Sequence, residues 1–371
     1  MNQTRRTTLG LIAASALPSF GVRAQAGYPN QPVKIVVPFA PGGGSDFIGR
    51  FIAEKLTKSL GQTVLVDNRP GAGGLLGIEL GIKAPADGYT FILIASSYSV
   101  NPSIFKLKFD PVADITPVSQ ISQGPMVLLA NPKLGIKSVK ELIERARANP
   151  GDITFASAGL GSVTHMAGEY FASAAKIKMT HVPYKGTAPA LTDTISGQTN
   201  VFFSSPAPAL AHVEAGKLTA LGVTTAKRAT GATFSKVPTI AEAGLPGYEA
   251  ILWHGLIAPK GVPKTIVDRI NKEIAAALTN KEAVEKLETD GVAPAGGSAD
   301  QFAALIKNDI ALWKKVVTDG NIKVEQYGGS MTYADDPLAG CESRLGQGYT
   351  AMVPRIYRER RLLQRFRRFS G

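Results

Sequence analysis

Val33-Lys34-Ile35-Val36-Val37-Pro38-Phe39-Ala40-Pro41-Gly42-Gly43-Gly44-Ser45-Asp46 is the stretch that sets the architecture of this 371-residue chain. Its first six residues are β-rich and run straight into three glycines, so a strand enters a tight turn. Ser45 or Asp46 then suits a helix cap. Phe47, Ile48, Phe51, Ile52, Leu56 and Leu60 follow at helical spacing, and Gly61 stops the helix. Strand, glycine turn and helix make the first unit of an α/β fold.

The alternation continues on both sides of that unit. Strands are expected over 63–66 and 90–95, with a helix over about 74–83 between them. A second series starts with a strand over 126–130. Helices over 139–149, 163–175, 189–196 and 207–215 then alternate with strands over 153–156, 179–183, 201–204 and 218–223. A strand over 251–258, a helix opened by Pro263 and a long helix over 298–319 complete the body. Such alternation predicts parallel-rich sheets covered by helices on both faces.

The glycine turn can be read in two ways. Glycines let backbone approach a ligand, and the free N–H groups of a first helical turn attract anions, which suits a carboxylate. The same residues also make an ordinary capped turn. Ser157-Ala158-Gly159-Leu160-Gly161-Ser162-Val163-Thr164-His165 repeats the arrangement in the second series, so two helix starts could grip one acid. Candidate ligand contacts on these turns are Phe39, Ala40, Pro41, Gly42, Gly43, Gly44, Ser45 and Asp46 on one side. On the other they are Ser157, Gly159, Gly161, Ser162, Thr164 and His165. Ser96 and Ser97, and Ser204 and Ser205, stand at strand ends, where open α/β sheets place ligands, and Tyr184 and Lys185 bring an amphipathic ring and a cation into a turn.

Several other chemistries lose support. No Gly-Lys-Ser/Thr follows either turn, so neither is a nucleotide phosphate loop. Ser162 and His165 invite a serine-hydrolase reading, but Gly161-Ser162-Val163-Thr164 lacks the Gly-x-Ser-x-Gly elbow, and a helix cap explains Ser162 better. His181, His212 and His254 have no metal-ligand spacing, and neither metal nor cofactor is implied. The formal net charge is +12, but three charges lie in Arg5, Arg6 and Arg23 and four in the Arg-rich stretch after Gln326. The remaining body is mildly basic and carries no basic stripe with interleaved aromatics, so no nucleic-acid partner is expected. Its single cysteine, Cys341, offers no disulfide framework.

Residues 1–26 read as a secretory leader: paired Arg5-Arg6, an apolar run far short of the roughly 20 residues that span a bilayer, and Ala24-Gln25-Ala26 as a cleavage site. The Sec and twin-arginine routes both stay open. Residues 327–371 switch abruptly to Arg without Lys, which reads as an extraneous or disordered tail.

Taken together, the motifs resemble the Bug-type receptors of tripartite tricarboxylate transporters. The resemblance rests on the stretch from Pro38 to Asp46, on Val66-Asp67-Asn68-Arg69-Pro70-Gly71-Ala72-Gly73-Gly74, and on Ala86-Asp87-Gly88-Tyr89-Thr90. His181-Val182-Pro183-Tyr184-Lys185-Gly186 and Pro238-Thr239-Ile240-Ala241-Glu242 extend it into the second half. It implies a two-lobed periplasmic-binding-protein fold of the Venus flytrap kind, type II-like. Lobe 1 would comprise 27–122 and 252–326, and lobe 2 would comprise 123–251. It also implies a monomeric, non-enzymatic receptor in the periplasm that passes a small carboxylate to membrane permease subunits. A ligand-sensing partner of a membrane sensor is the alternative within the same class.

Overall fold

The computed structural model describes residues 27–289, 291–319 and 322. The expected leader over 1–26 and the Arg-rich tail over 327–371 lie outside the described residues.

Strand β1 (Val33–Val37) enters the glycine turn and α1 (Gly44–Leu60) leaves it, ending at Gly61 in the left-handed conformation with φ 68°. The spacing along α1 works as expected. Ile48, Phe51, Ile52 and Leu56 are buried against Ile35, Val37, Phe91 and Leu93, while Phe47 and Leu60 are half-buried beside them. The helix does begin earlier than expected. It starts at Gly44 with Gly43 as its cap, and no side chain caps it. The expected cap at Ser45 or Asp46 is therefore wrong, because both residues already stand in the first turn.

The first series continues with β2 (Val64–Asn68), α2 (Leu75–Ile82), β3 (Thr90–Ala95), α3 (Ser97–Ile104) and β4 (Ile115–Pro125). The second comprises β5 (Val127–Ala130), α4 (Val139–Ala148), β6 (Thr154–Ser157), α5 (Val163–Ala175), β7 (Thr180–Pro183), α6 (Thr187–Ser196), β8 (Val201–Ser204), α7 (Pro206–Glu214) and β9 (Thr219–Val223). The chain then returns through β10 (Ile251–Pro259), α8 (Lys264–Thr279), α9 (Lys281–Thr289), β11 (Ala293–Pro294) and α10 (Ala299–Asp319).

Two sheets result, in the orders β11-β4-β10-β3-β1-β2 and β7-β6-β8-β5-β9. Parallel pairing joins β2, β1 and β3 in the first sheet and β7, β6 and β8 in the second. The rest is antiparallel. The cause is the crossing geometry. β5 follows β4 after a single residue, Met126, so it enters the second sheet from the side of the first and runs against its neighbours. β10 makes the return crossing and pairs antiparallel with β4 along its whole length. Thr224 ties the two crossings together. Its hydroxyl accepts the Met126 N–H at 2.8 Å and donates to the Ala250 carbonyl at 2.6 Å, and its own N–H reaches the Met126 carbonyl. The aromatic residues of α10 are core: Phe302 and Trp313 are buried, and the Phe302 ring meets Trp253 edge-on at 5.7 Å.

Candidate functional site

The parallel strands deliver their following helices edge to edge, so that four helix starts meet at one small cavity of about 30 Å³ between the sheets. Gly43, Gly44 and Ser45 open α1, Ser162, Val163 and Thr164 open α5, Thr187 opens α6, and Ser205 caps α7. Phe39, Ala95, Ala158, Leu252 and His254 complete the wall. Among the described residues, no Lys, Arg, Asp or Glu lines it. Each helix N-terminus carries roughly half a positive elementary charge on unsatisfied N–H groups. The positive potential here thus comes from backbone, with apolar groups between.

Of the residues singled out from sequence, Phe39, Gly43, Gly44, Ser45, Ser162, Thr164 and Ser205 lie on this wall. The others do not, and most have visible structural work. Asp46 is 5% exposed, and its carboxylate accepts the Gly42 N–H at 2.9 Å, Arg50 Nε at 2.9 Å and Asn68 Nδ2 at 3.0 Å. Burial on its own would raise its pKa, but these three donors and the Arg50 charge together hold it below the usual carboxylate range. Asp46 therefore fastens the glycine turn and does not face the cavity. Asp46→Ala is expected to cost about 1–3 kcal/mol of stability, read by urea unfolding at pH 7, because it removes the buried charged acceptor of three hydrogen bonds that fasten the turn. A loss under 0.5 kcal/mol, taken as roughly the size of an ordinary surface change, would contradict this role.

The 157–165 loop is likewise stitched to itself. Thr164 Oγ1 accepts the Ala158 N–H at 2.8 Å, Ser162 Oγ caps the His165 N–H at 3.2 Å, and Ser157 Oγ accepts the Gly159 N–H at 3.1 Å. Ser157 also meets His181 Nε2 at 2.6 Å. His165 is buried beneath the loop, where its ring stacks on His181 with centroids 3.9 Å apart. Its Nδ1 accepts the Gly161 N–H at 3.2 Å, and its Nε2 faces Glu169 at 3.6 Å. Neither ring nitrogen serves Ser162, so the Ser162–His165 pair is a cap and a loop support and has no nucleophile–base geometry.

Four further candidates also sit away from the wall. Tyr184 donates its hydroxyl to Asp193 at 2.8 Å, and Lys185 is exposed. Ser204 donates to the Ser205 carbonyl at 2.9 Å, and Ser96 is fully buried at the end of β3. Among the backbone candidates, Ala40, Pro41 and Gly42 lie on the turn outside the cavity. Gly42 and Gly186, both with positive φ, let the two sides close together, since added Cβ atoms would approach Ala188 at 3.5 Å and Ala40 at 2.9 Å respectively. Gly159 and Gly161 also have positive φ. A Cβ on Gly159 would approach the Tyr184 carbonyl at 2.9 Å, and one on Gly161 would run into Phe105.

Thr187 and His254 are the polar wall residues that sequence reasoning missed, whereas Ser205 was reached through its place at a strand end. Thr187 and Ser205 each stand at a helix start behind a strand, the same signal that identified Ser45 and Ser162. His254 is the lone titratable residue within an apolar strand.

Comparison with known proteins agrees with this geometry. Residues 48–322 match the model of the tripartite tricarboxylate transporter family receptor. Protein BugT of Bordetella pertussis is 36% identical over 332 residues, which cover 88% of this chain and 100% of BugT. The structure of Rpa4515 from R. palustris with adipate superposes with a TM-score of 0.77 at 36% identity, covering 80% of this chain and 99% of that one. MatC from Rhodopseudomonas palustris with bound malate gives a TM-score of 0.74 at 31% identity, covering 78% and 100%.

Proposed function

Because the chain belongs to the tripartite tricarboxylate transporter receptor family, we propose that it is a periplasmic receptor whose lobes close on a carboxylate of a small organic acid and deliver it to membrane permease subunits. Residues 1–26 would serve as its export signal. One observation carries the ligand class: four helix starts converge on a wall that, among the described residues, has no charged side chain. Such a wall attracts an anion through N–H dipoles, while hydrocarbon such as Phe39, Val163 and Leu252 can cover an acid's carbon chain. The adipate and malate bound by the two solved relatives are small dicarboxylates, in keeping with that chemistry.

The family also supports a role in capture and release without turnover. A cavity of about 30 Å³ has room for roughly one water-sized group, so a dicarboxylate would be held with the two sides further apart than they stand here. Lobe closure would then be what the permease recognises.

A thermal-shift screen of the purified chain against mono-, di- and tricarboxylates, aromatic acids, amino acids, sugars and cations tests the reading. A ligand that binds only the folded state at a hundred times its Kd adds about 2.7 kcal/mol, and a rise of several degrees is expected for at least one carboxylate. Stabilisation by sugars or cations alone would refute the anion assignment.

A further inference from the structure

We propose that His254 is a positioning residue that fixes the Ser45 hydroxyl as a hydrogen-bond donor into the cleft, so that this wall selects an acceptor such as an ionised carboxylate. The ligand class rests on the receptor reading above. The direction of the hydrogen bonds rests on burial alone.

Strand register builds the arrangement. On β10, His254 lies directly opposite Ser122 of β4 on one side and Ala95 of β3 on the other, so the three side chains share one face. Ala95 and His254 both line the cavity. The β4–β10 register shifts just after His254, a bulge of the kind that aims a side chain near a site. His254 Nδ1 lies 3.2 Å from Ser122 Oγ, and its Nε2 lies 3.3 Å from Ser45 Oγ across on α1.

His254 is 2% exposed, and burial lowers its pKa to about 4, so the ring is neutral at pH 7. A neutral imidazole has one N–H and one lone pair, which leaves two possible arrangements. Were the proton on Nδ1, it would point at Ser122 Oγ, and the Ser122 O–H would need another acceptor. Ser122 is fully buried, and among the described residues its hydroxyl meets only His254. An orphaned buried O–H is avoided if Ser122 donates to Nδ1. The proton then sits on Nε2 and is donated to Ser45 Oγ. The Ser45 O–H, whose only partner among the described residues is this ring, is left to point into the cavity that Ser45 lines. The chain Ser122 to His254 to Ser45 thereby offers the ligand a donor, which suits a carboxylate because a carboxylate has only acceptors.

Two measurements on the full chain test this. Nitrogen-15 NMR of labelled histidine, with His254 assigned by its loss in His254→Gln, is expected to show the Nε2–H tautomer at pH 7. A proton on Nδ1 would overturn the proposal whatever the ligand. Calorimetry with adipate and malate supplies the second readout. His254→Leu and Ser45→Ala are each expected to weaken the binding acid roughly 10- to 100-fold, with the double variant no weaker than the worse single one. His254→Gln, whose amide N–H can stand in for Nε2–H, is expected to recover most of the loss while the melting temperature of each variant reports its folding. Losses that add, or an unchanged affinity in His254→Leu, would refute the coupling. If neither acid binds the wild-type chain, the choice of acid fails, and the tautomer still decides the proposal.

Discussion

Gly44→Ala is expected to melt at or slightly above the wild-type temperature and yet bind its acid roughly 5- to 150-fold more weakly, the equivalent of about 1–3 kcal/mol of overpacking. Gly44 is the first residue of α1, where alanine is a better helix former than glycine, so α1 itself loses nothing. The cost arises across the cleft. An added Cβ would lie 2.7 Å from Ser205 Cβ and would also collide with Ser205 Oγ. Rotating the serine hydroxyl does not relieve the clash with Cβ. Ser205 stands at the start of α7 on the opposite side of the cavity, so the clash falls on the cavity wall and not within the apolar core around α1. Gly43→Ala is a milder companion, with Thr187 Cβ at 3.1 Å. Calorimetry and thermal melts on the same samples separate the two effects. Unchanged affinity would mean that Gly44 and Ser205 do not meet in the bound state, and a large drop in melting temperature would place the contact in the core.

The second large effect is acid sensitivity. Stability is expected to be level above about pH 6.5, the ordinary histidine value, and to fall continuously toward pH 4. Burial lowers the His254 pKa to about 4, and burial followed by repulsion from His165 lowers that of His181 to about 3. Both rings are thus neutral in the folded protein, whereas in the unfolded chain they take up protons below about pH 6.5. The unfolded state gains the protons first, so the stability these rings contribute is complete above pH 6.5 and is lost as the pH falls through the window down to their folded values. At about 1.4 kcal/mol per tenfold change in proton affinity, each ring accounts for at most roughly 3 kcal/mol by pH 4. Asp46 acts in the same direction lower down, since its depressed pKa makes its contribution disappear as the pH drops below the ordinary carboxylate value. The Asp309 carboxyl, pushed up to about 6 by burial, works in the opposite direction between about pH 6 and 4 and offsets part of the fall. Urea unfolding at pH 7, 5.5 and 4.5 reads the net slope, and an identical slope in the wild type and His254→Gln would show that the His254 ring is not held neutral. His254→Gln should remove its share of the slope.

Both predictions depend on contacts that the linear chain does not announce. What could be read from it was local. The 3.6-residue spacing from Ile48 to Leu56, the positive-φ glycines at 42, 61, 159 and 161, and the cap at Ser162 are properties of a few neighbouring residues, and they place two helix starts behind two strands. The motifs along 28–324 were enough to recognise the family. Of the elements that escaped, which include α9 and β11, two did so for definable reasons. β4 reads Ile-Thr-Pro-Val-Ser-Gln-Ile-Ser-Gln-Gly-Pro, with no apolar run or clean alternation, and it is a strand because β10 pairs with it along its length. α3 carries Pro102 inside it and no side-chain cap, and it packs Val100 and Ile104 against Met166 and Trp313.

The assembly of the site belongs wholly to the tertiary structure. Nothing near His254 in sequence predicts Ser45, 209 positions away, or Ser122, 132 positions away. Asp46 stands one residue from the wall position Ser45 and yet does different work, turned inward to fasten the turn, whereas Thr164 both lines the cavity and ties the 158 backbone. Helical and strand periodicity specifies which face of an element is buried, but it cannot say which other element covers that face. The two crossings made by β4 and β10 supply that answer, by bringing helix starts from separate sheets to one small volume where their N–H dipoles add.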